Sequence, residues 1–508
     1  MGRPFHLDGM TVERTADPAP YLFLTTLTPV VLLVHGYHPL ADDGAVYVAG
    51  IKKLADPSLY QSDAVFVSSP THFSIFAHVL AALLRWGDLP LPALLLLCHL
   101  ASIFLLLLGS WALAARIFVR NSGRWGAVLL AACCFTLPVA GTSLCIMDPY
   151  VTARSFSTPL SLFALAAVLD EKWMESALWL ALAALLHPLM AAYTAIAMLT
   201  LALARRRMWR SLGLICGFGC LLCAVIFIAT RHTDPLLAYN RAALSRSYFF
   251  LSSWRWFEYP GLLIPLLLLG IAGSRREAPW PARALAIAAT VVGSCALFAS
   301  LCVVHRSGSL LLARLQVLRA FQFVYIAGVL LAGGLLARLH KLAIAIVLLI
   351  VAGALFAGQR MTYPETSHVE WPGMTARNDW QQAFLWIRAH TPKDAVFALD
   401  NDYIESPGED AQGFRASAER SAVADWLKDG GIASNFPRAA IPWWQGSQAT
   451  AQLNYATDNQ RLTRLQPLGV TWVVLSAQAR TGFVCPFSNE RVRVCRLSPL
   501  LHPADGAK

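Results

Sequence analysis

The chain has 508 residues, of which 56% are hydrophobic and only 14% are charged, whereas a soluble globular chain carries roughly 25% charged residues. A soluble fold cannot bury that much apolar surface, so we expect lipid to solvate much of the chain. The net charge is +11, but most arginines and lysines end apolar runs and no nucleic-acid reader motif appears. This pattern argues against a nucleic-acid partner.

Residues 1–20 are polar and lack the basic start and small-residue cleavage site of a signal peptide, so the first apolar run is expected to be retained. The apolar runs that follow predict a multi-pass α-helical membrane protein with about 11 transmembrane helices. The predicted spans are 21–36, 89–118, 125–144, 150–169, two short runs on either side of His187-Pro188, 212–230, a run that ends at Arg275, 284–304, a run from Arg319 to Arg338, and 342–357.

The first predicted loop, residues 37–88, is polar apart from the amphipathic run 71–86 (THFSIFAHVLAALLRW). This run is too short to cross a bilayer comfortably. We therefore expect it to lie in the membrane interface.

The basic clusters in the short loops predict the orientation. With a cytoplasmic N-terminus, the clusters at 116–124, 205–210, 275–283 and 338–341 all fall on the cytoplasmic side, as the positive-inside rule requires. An odd number of spans then places the C-terminal part outside. The acidic turn at 170–175 is an exception on the cytoplasmic side.

Residues 361–508 are predicted to form a separate small α/β domain after a membrane domain of residues 1–360. The segment 379–390 has helical periodicity, whereas 391–400 and 469–477 resemble strands. Most of the 11 cysteines lie in apolar runs and resemble small hydrophobic residues. Cys485 and Cys495 instead flank a polar stretch, where a disulfide would form only in an oxidising compartment; the sequence leaves this open.

Asp42 and Asp43 follow the first span directly. Adjacent carboxylates beside a membrane are costly unless they are solvated, paired or used. They are interpreted either as a general base, with or without a metal ion, or as a solvated loop that caps the next helix.

Asp148 lies in the next loop on the same side, in the sequence IMDPYV. Asp-Pro also commonly opens a helix, so a capping role is the alternative to a functional one. Arg154 falls about one turn inside the fourth predicted span. It needs a partner there, either Asp148 or a lipid phosphate.

Cations and histidines on the outer side run against the orientation rule, and phosphate would explain them because arginine binds phosphate through two hydrogen bonds. Snorkelling to lipid headgroups is the alternative. The set is Lys52, Lys53, His187, Arg231, His232, Arg241, Arg246, Arg306, Arg314 and Arg319.

The order of these features resembles the membrane-embedded glycosyltransferases of the GT-C fold, which use lipid-linked sugar donors. They include lipid A aminoarabinose transferases, protein O-mannosyltransferases and oligosaccharyltransferase catalytic subunits. The matching features are the acidic pair in the first outer loop, Pro70 before the interfacial run, Asp148 before a proline, the break at His187-Pro188, the basic aromatic loop 231–259, and the C-terminal segment 384–400.

The sequence also departs from this family. Ser68 and Ser69 stand where some members have Glu-Lys, which argues against a metal or phosphate contact from that point. Trp443-Trp444-Gln445 differs from the Trp-Trp-Asp motif of oligosaccharyltransferases and is not equated with it.

The resemblance implies a glycosyltransferase at the outer face of a bacterial inner membrane, with the C-terminal domain in the periplasm. The donor would be a polyprenyl-phosphate sugar and the acceptor a glycan, lipid or protein. Asp42, Asp43 and Asp148 would be catalytic; a divalent metal ion is compatible with this chemistry but not required. The substrate-binding residues would be Lys52, Arg154, His187, Arg231, Arg241, Arg246, Arg314 and Arg319.

Two other functions remain open. A transporter or lipid flippase would need charged residues near the membrane midplane and an internal repeat, and the sequence shows few such charges and no evident repeat. A non-catalytic membrane assembly protein could share the same scaffold, because a fold does not guarantee its chemistry.

Overall fold

The computed structural model describes residues 19–230, 237–305 and 308–498. The chain is mostly helical up to residue 362, and a small domain with a sheet follows. In chain order the first helices are α1 (Ala19–His35), α2 (Asp42–Ala55), α3 (Ala64–Ser68), α4 (Phe76–Trp86), α5 (Leu91–Ile117), α6 (Asn121–Cys133), α7 (Ala153–Leu169), α8 (Trp173–Leu186), α9 (Pro188–Arg205), α10 (Trp209–Thr230), α11 (Ala238–Leu244), α12 (Glu258–Ser274), α13 (Trp280–Leu301), α14 (Leu310–Leu315), α15 (Phe321–Leu336) and α16 (Lys341–Thr362).

The lengths of these helices support a multi-pass membrane protein. Within the described residues, six helical segments are long and apolar enough to cross a membrane: α5, α9, α10, α13, α14 together with α15, and α16. Segment 64–71 and α4 would add a seventh span if they are counted as one, but they are bent by 103°. Helices α1, α7, α8 and α12 are apolar but shorter. The predicted number of 11 spans is therefore not confirmed.

The third predicted span, 125–144, is too long. Helix α6 ends at Cys133, and the chain then forms a compact loop in which Pro138 and Cys145 make an antiparallel bridge. Proline has no backbone N–H and disfavours helical geometry in the residue before it. The helix therefore cannot continue through this position, despite the apolar side chains.

The predicted break at His187-Pro188 is confirmed. Helix α8 ends at Leu186 and α9 begins at Pro188, where proline is tolerated because the first helical N–H has no partner. His187 caps α9, since its Nδ1 accepts from the Met190 N–H at 3.4 Å.

The acidic turn at 170–175 has a structural explanation. Asp170 binds Arg116 at 2.5 Å, and Glu171 lies 3.8 Å from Arg205. These ion pairs join the turn to two of the basic clusters at the same end of the bundle. The turn therefore partly neutralises that end.

The elements of the C-terminal domain are α17 (Asp379–His390), β1 (Val396–Ala398), α18 (Phe414–Ala418), β2 (Ser421–Ala422), α19 (Lys428–Ala433), α20 (Pro437–Thr450), α21 (Asp458–Leu465), β3 (Trp472–Ser476), β4 (Phe487–Ser488) and β5 (Val492–Arg496). The strands form a five-stranded sheet in the order β2-β1-β3-β5-β4, in which β1 pairs in parallel with β2 and β3 and the other pairs are antiparallel. The predicted helix and both predicted strands are found, and Cys485 forms a disulfide with Cys495.

Candidate functional site

Backbone contacts join three separate segments at the end of the bundle next to the C-terminal domain. The His38 N–H donates to the Pro149 carbonyl at 2.8 Å, which ties the loop after α1 to the loop before α7. Ala41 forms an antiparallel bridge with Gln412 of the C-terminal domain. Because both predicted acidic positions adjoin these contacts, the pairing brings them together.

Asp42 begins α2 in a left-handed conformation, with φ of +50°, which aspartate tolerates better than most residues. Its N–H donates to the Ala411 carbonyl at 2.8 Å and so holds the helix start against the C-terminal domain. The N-cap residue is Ala41, and no side chain caps the helix. The interpretation of the acidic pair as a helix cap is therefore wrong. Both carboxylates lie in the first turn, where the helix dipole favours negative charge.

The pKa of the Asp43 carboxyl depends on burial and on the other charged groups of the site. Burial raises the pKa of its carboxyl; the guanidiniums of Arg154 and Arg319 lower this pKa, and the Asp148 carboxylate raises it. The Asp43 side chain is nevertheless 43% exposed. Asp43 is therefore a carboxylate that protein surrounds but that solvent still reaches. A carboxylate with a raised pKa is suited to accept a proton near neutral pH.

Asp148 and Arg154 form a buried ion pair at the start of α7, and neither residue is more than 6% exposed. Of the two partners that the sequence allowed for Arg154, the structure supplies Asp148. Helix α7 is capped by Thr152, which forms a capping box with Ser155. Asp148 is therefore not the helix cap, and its charge is compensated beside Asp43.

Arg319 lies next to a helix break, because Gln316 adopts a left-handed conformation between α14 and the 3-10 turn Val317–Ala320. Its guanidinium carbon lies 5.7 Å from the centre of the Tyr248 ring. Its Nε is buried without a hydrogen-bond partner, and within the described part of the chain no carboxylate pairs with it. Arg319 thus lies within electrostatic range of Asp43 without a carboxylate partner of its own among the described residues.

His187 belongs to the same cluster. It lies in the break between α8 and α9, within electrostatic range of both Arg154 and Arg319. Since its Nδ1 caps α9, its Nε2 is the ring atom that remains for other contacts.

Two predicted phosphate-binding arginines instead hold the C-terminal domain. Arg246 is 4% exposed and donates to the carbonyls of Trp426 at 2.6 Å and Leu427 at 2.5 Å. Arg314 donates to the Ser434 carbonyl at 2.8 Å. Guanidiniums bound in this way to backbone carbonyls join the membrane part to the C-terminal domain, and the structure does not place them with the acidic residues.

Lys52 and Arg241 also contact the C-terminal domain. The Lys52 Nζ donates to Glu419 and to the Ala416 carbonyl, both at 2.7 Å. The Arg241 guanidinium carbon lies 4.3 Å from the centre of the Trp444 ring. Both cations lie apart from the acidic cluster. Arg231, like His232 and Arg306, lies outside the described residues, so its predicted role stays a prediction.

Lys428 is a site residue that the sequence analysis missed. Its ammonium pairs with Asp42 and lies 3.1 Å from the Asp43 Oδ1, and burial lowers its pKa to about 8. In the sequence, Lys428 stands between Asp425 and Asp429 near two glycines, a pattern typical of a solvated surface turn. No local signal connects it with an acidic pair in the first loop.

A separate cavity of about 540 Å³ lies beside the cluster, lined by the C-terminal end of α2, the start of α5 and the segment 366–377. In its wall, Glu370 lies 3.0 Å from the His38 Nδ1 and accepts from Gln381 at 3.1 Å. The acidic pair does not line this cavity. It therefore adjoins the acidic cluster without being part of it.

The described residues contain no group of three His, Cys, Asp or Glu side chains that could hold a metal ion. The arrangement instead combines three features: the Asp43 carboxylate with its raised pKa, the buried ion pair between Asp148 and Arg154, and the Arg319 guanidinium, which has no carboxylate partner among the described residues. These groups can remove a proton from a hydroxyl and stabilise a developing phosphate anion.

Comparisons with known proteins give little independent identification. Residues 378–443 match the model of a domain of unknown function, DUF6798. No curated protein matches the sequence significantly. A comparison with solved structures matches this chain, with a TM-score of 0.45 and 12% identity, to the archaeal oligosaccharyltransferase AglB from Archaeoglobus fulgidus, solved with an inhibitory peptide and a dolichol-phosphate. The likeness covers 90% of this chain and 69% of that one. Likeness at this level does not establish a shared fold, so the chemistry of this chain rests on its own residues.

Proposed function

We propose that this protein is a membrane glycosyltransferase that moves a sugar from a polyprenyl-phosphate donor to a hydroxyl group of a glycan, lipid or protein acceptor. The observation that carries this proposal is that a candidate base and a candidate phosphate-stabilising cation belong to one cluster of charged side chains. Asp43 is a carboxylate whose pKa burial raises, and Arg319 is a nearby guanidinium without a carboxylate partner. The multi-pass helical bundle would keep the donor lipid beside this cluster.

In the proposed reaction, the Asp43 carboxylate accepts the proton of the acceptor hydroxyl. The acceptor oxygen forms a bond to the anomeric carbon of the sugar while the bond from that carbon to the phosphate oxygen breaks. The electron pair of the broken bond leaves with the lipid phosphate. A single displacement of this kind inverts the configuration at the anomeric carbon.

Arg319 would stabilise the charge that develops on the leaving phosphate. It is better suited to this than Arg246 or Arg314, because each of those two guanidiniums already donates to a carbonyl of the C-terminal domain. Asp148 would orient the acceptor or the base, with Arg154 keeping its charge compensated.

Asp43 is favoured over Asp42 as the base. Asp43 is within the electrostatic range of Arg154, Arg319 and Asp148. The backbone of Asp42 is fixed against Ala411, whereas the contact with Lys428 is common to both carboxylates. Asp42 would therefore support the geometry of the helix start.

The proposed location is the outer face of a bacterial inner membrane. Two observations support it: the disulfide between Cys485 and Cys495, which persists in oxidising compartments, and the basic clusters at the opposite end of the bundle.

The test is an analysis of lipid-linked sugars in the native host. The gene would be deleted and complemented with wild type, Asp43→Asn, Asp42→Asn or Arg319→Gln, and polyprenyl-phosphate sugars would be extracted and identified by mass spectrometry. We expect one donor species to accumulate in the deletion strain and with Asp43→Asn and Arg319→Gln. Asp42→Asn should have a smaller effect.

Asp56→Asn is the matched control, because it makes the same change just beyond the other end of α2, where Asp56 pairs with Lys393 in an exposed position. It should behave as wild type, and size-exclusion chromatography would confirm that each variant is folded. An unchanged donor pool in the deletion strain would reject transfer and leave transport or assembly as the function.

A further inference from the structure

Lys428 provides a cation at the point where the two adjacent carboxylates of the first loop meet. Its Nζ pairs with the Asp42 Oδ1 and lies 3.1 Å from the Asp43 Oδ1. One ammonium group thus contacts both carboxylates and compensates part of their charge. An ammonium has three donors, which allows it to bind two carboxylates at once.

The backbone around Lys428 is fixed from the membrane side. Arg246, in the loop after α11, donates to the two carbonyls just before it, those of Trp426 and Leu427. The residue just after it, Asp429, binds Arg415 through two hydrogen bonds of 3.0 and 2.9 Å.

Further contacts hold the turn that contains Lys428 in place. Arg415 also pairs with Asp63 in the first loop, and the Lys428 N–H donates to Asp425 at 2.6 Å. Lys428 is therefore the side chain of an anchored turn, and its position does not depend on its own ion pairs alone.

This arrangement does not fit a divalent metal ion at the acidic pair. A metal bound by Asp42 and Asp43 would have to displace the Lys428 ammonium or lie next to it, and like charges at that separation repel strongly. Asp148, the next carboxylate, is already paired with Arg154. Hard divalent ions usually need more than two oxygen ligands from the protein or its substrate, and the described residues do not gather a third.

We propose that the ammonium of Lys428 occupies the place between Asp42 and Asp43 that a divalent cation would otherwise take, so that the C-terminal domain itself supplies the cation of the acidic site. The site then excludes divalent metals as long as Lys428 is charged and docked. Exclusion of metal can be measured without any transfer assay. The expectation that transfer is independent of metal, in contrast, rests on the proposed function.

The experiment measures Mn²⁺ binding to the full-length protein in detergent by electron paramagnetic resonance. Wild type should show no bound Mn²⁺ that depends on Asp42 and Asp43. Lys428→Gln removes the ammonium and should strengthen Mn²⁺ binding by at least about tenfold. The triple variant with Asp42→Asn and Asp43→Asn should lose the gain. Lys393→Gln is the matched control, because it removes an exposed lysine of the same domain that pairs with Asp56.

A second variant keeps the test decisive if Lys428→Gln folds poorly. Lys428→Glu would place three carboxylates together, so Mn²⁺ should raise its unfolding temperature while leaving that of wild type unchanged. Mn²⁺ binding by wild type that Asp43→Asn removes would overturn the proposal. So would equal Mn²⁺ affinity in wild type and both folded Lys428 variants.

Transfer activity provides an independent test of metal exclusion. If the protein transfers sugar, chelation of metals by EDTA should leave the wild-type rate unchanged; loss of the rate in EDTA and its recovery with Mn²⁺ would overturn the proposal. If no transfer is found under any condition, the proposed function fails, and the Mn²⁺ titrations still decide whether Lys428 excludes metal.

Discussion

Lys428 and Asp43 are 385 residues apart in the chain, yet the Lys428 Nζ donates to the Asp43 Oδ1 at 3.1 Å. This contact closes the acidic site between the membrane helices and the C-terminal domain. Neither part of the chain contains the whole site. Changes in the C-terminal domain should therefore affect both the chemistry of the acidic pair and its position.

The pH dependence of transfer should report on Asp43. A general base must be deprotonated, so the rate falls as the pH drops through the pKa of Asp43, which burial raises above the ordinary value of 3.8. Lys428→Gln removes a cation that favours the carboxylate, so the acid limb should move to higher pH. The measurement is the transfer rate as a function of pH for both proteins.

Lys428→Arg is the control for that experiment, because arginine stays protonated at every accessible pH. It should keep the acid limb of wild type. Identical acid limbs in wild type and Lys428→Gln would contradict the contact between Lys428 and Asp43.

Arg415 should be the most sensitive residue for the stability of the domain contact. It binds Asp63 and Asp429, which are 5% and 1% exposed. Arg415→Leu would leave two buried carboxylates without a cationic partner, which should lower the free energy of unfolding by about 3–5 kcal/mol. Thermal unfolding in detergent would measure the change.

Arg491→Leu is the matched control for Arg415. It breaks the ion pair with Glu365, whose partners are 37% and 44% exposed, so its effect should stay below about 1 kcal/mol. Equal losses for the two variants would show that burial of the Arg415 network does not matter for stability.

Gly413 allows the C-terminal domain to approach the acidic helix. A Cβ at this position would lie 2.0 Å from the Cβ of Ala45 on α2. Gly413→Ala should therefore push α2 and its acidic pair away, with a loss of about 1–3 kcal/mol in stability and a loss of transfer. Unfolding temperature and transfer rate would be measured together.

Gly431→Ala tests whether the effect is specific. No atom would lie within 4 Å of the added Cβ, and alanine favours the helical conformation of α19. This variant should be at least as stable as wild type. A Gly413→Ala protein with wild-type stability and activity would contradict the close approach of the two segments.

The disulfide tests the proposed side of the membrane. In protein taken from the native membrane under non-reducing conditions, alkylation of denatured chains by a maleimide reagent should increase by two groups after reduction. The variant with Cys485→Ser and Cys495→Ser should show no increase. Two additional reactive thiols before reduction would place the domain in a reducing compartment.

The sequence was sufficient to predict the structural features that depend only on residues close together in the chain. The apolar runs located the helices, for example 21–36 for Ala19–His35, because the burial of apolar side chains in lipid is additive along the chain. His187-Pro188 marked a helix break through the missing proline N–H. The same local rules failed at 134–144, where an apolar composition hid the helix break before Pro138.

The acidic residues were found by their type, because carboxylates beside a membrane are costly without a partner. Their proximity was not visible in the sequence, since it depends on the contacts of His38 with Pro149 and of Ala41 with Gln412. Such contacts form between distant segments and leave no periodic signal.

Tertiary packing also separated residues of the same type. Arg246, Arg314 and Arg319 are equivalent as isolated arginines in the sequence. Two of them bind carbonyls of the C-terminal domain, whereas Arg319 lies within electrostatic range of Asp43 without a carboxylate partner of its own among the described residues. Lys428 enters the site for the same reason. The direction and partners of a side chain depend on the segments that pack around it, and these become neighbours only when the chain folds.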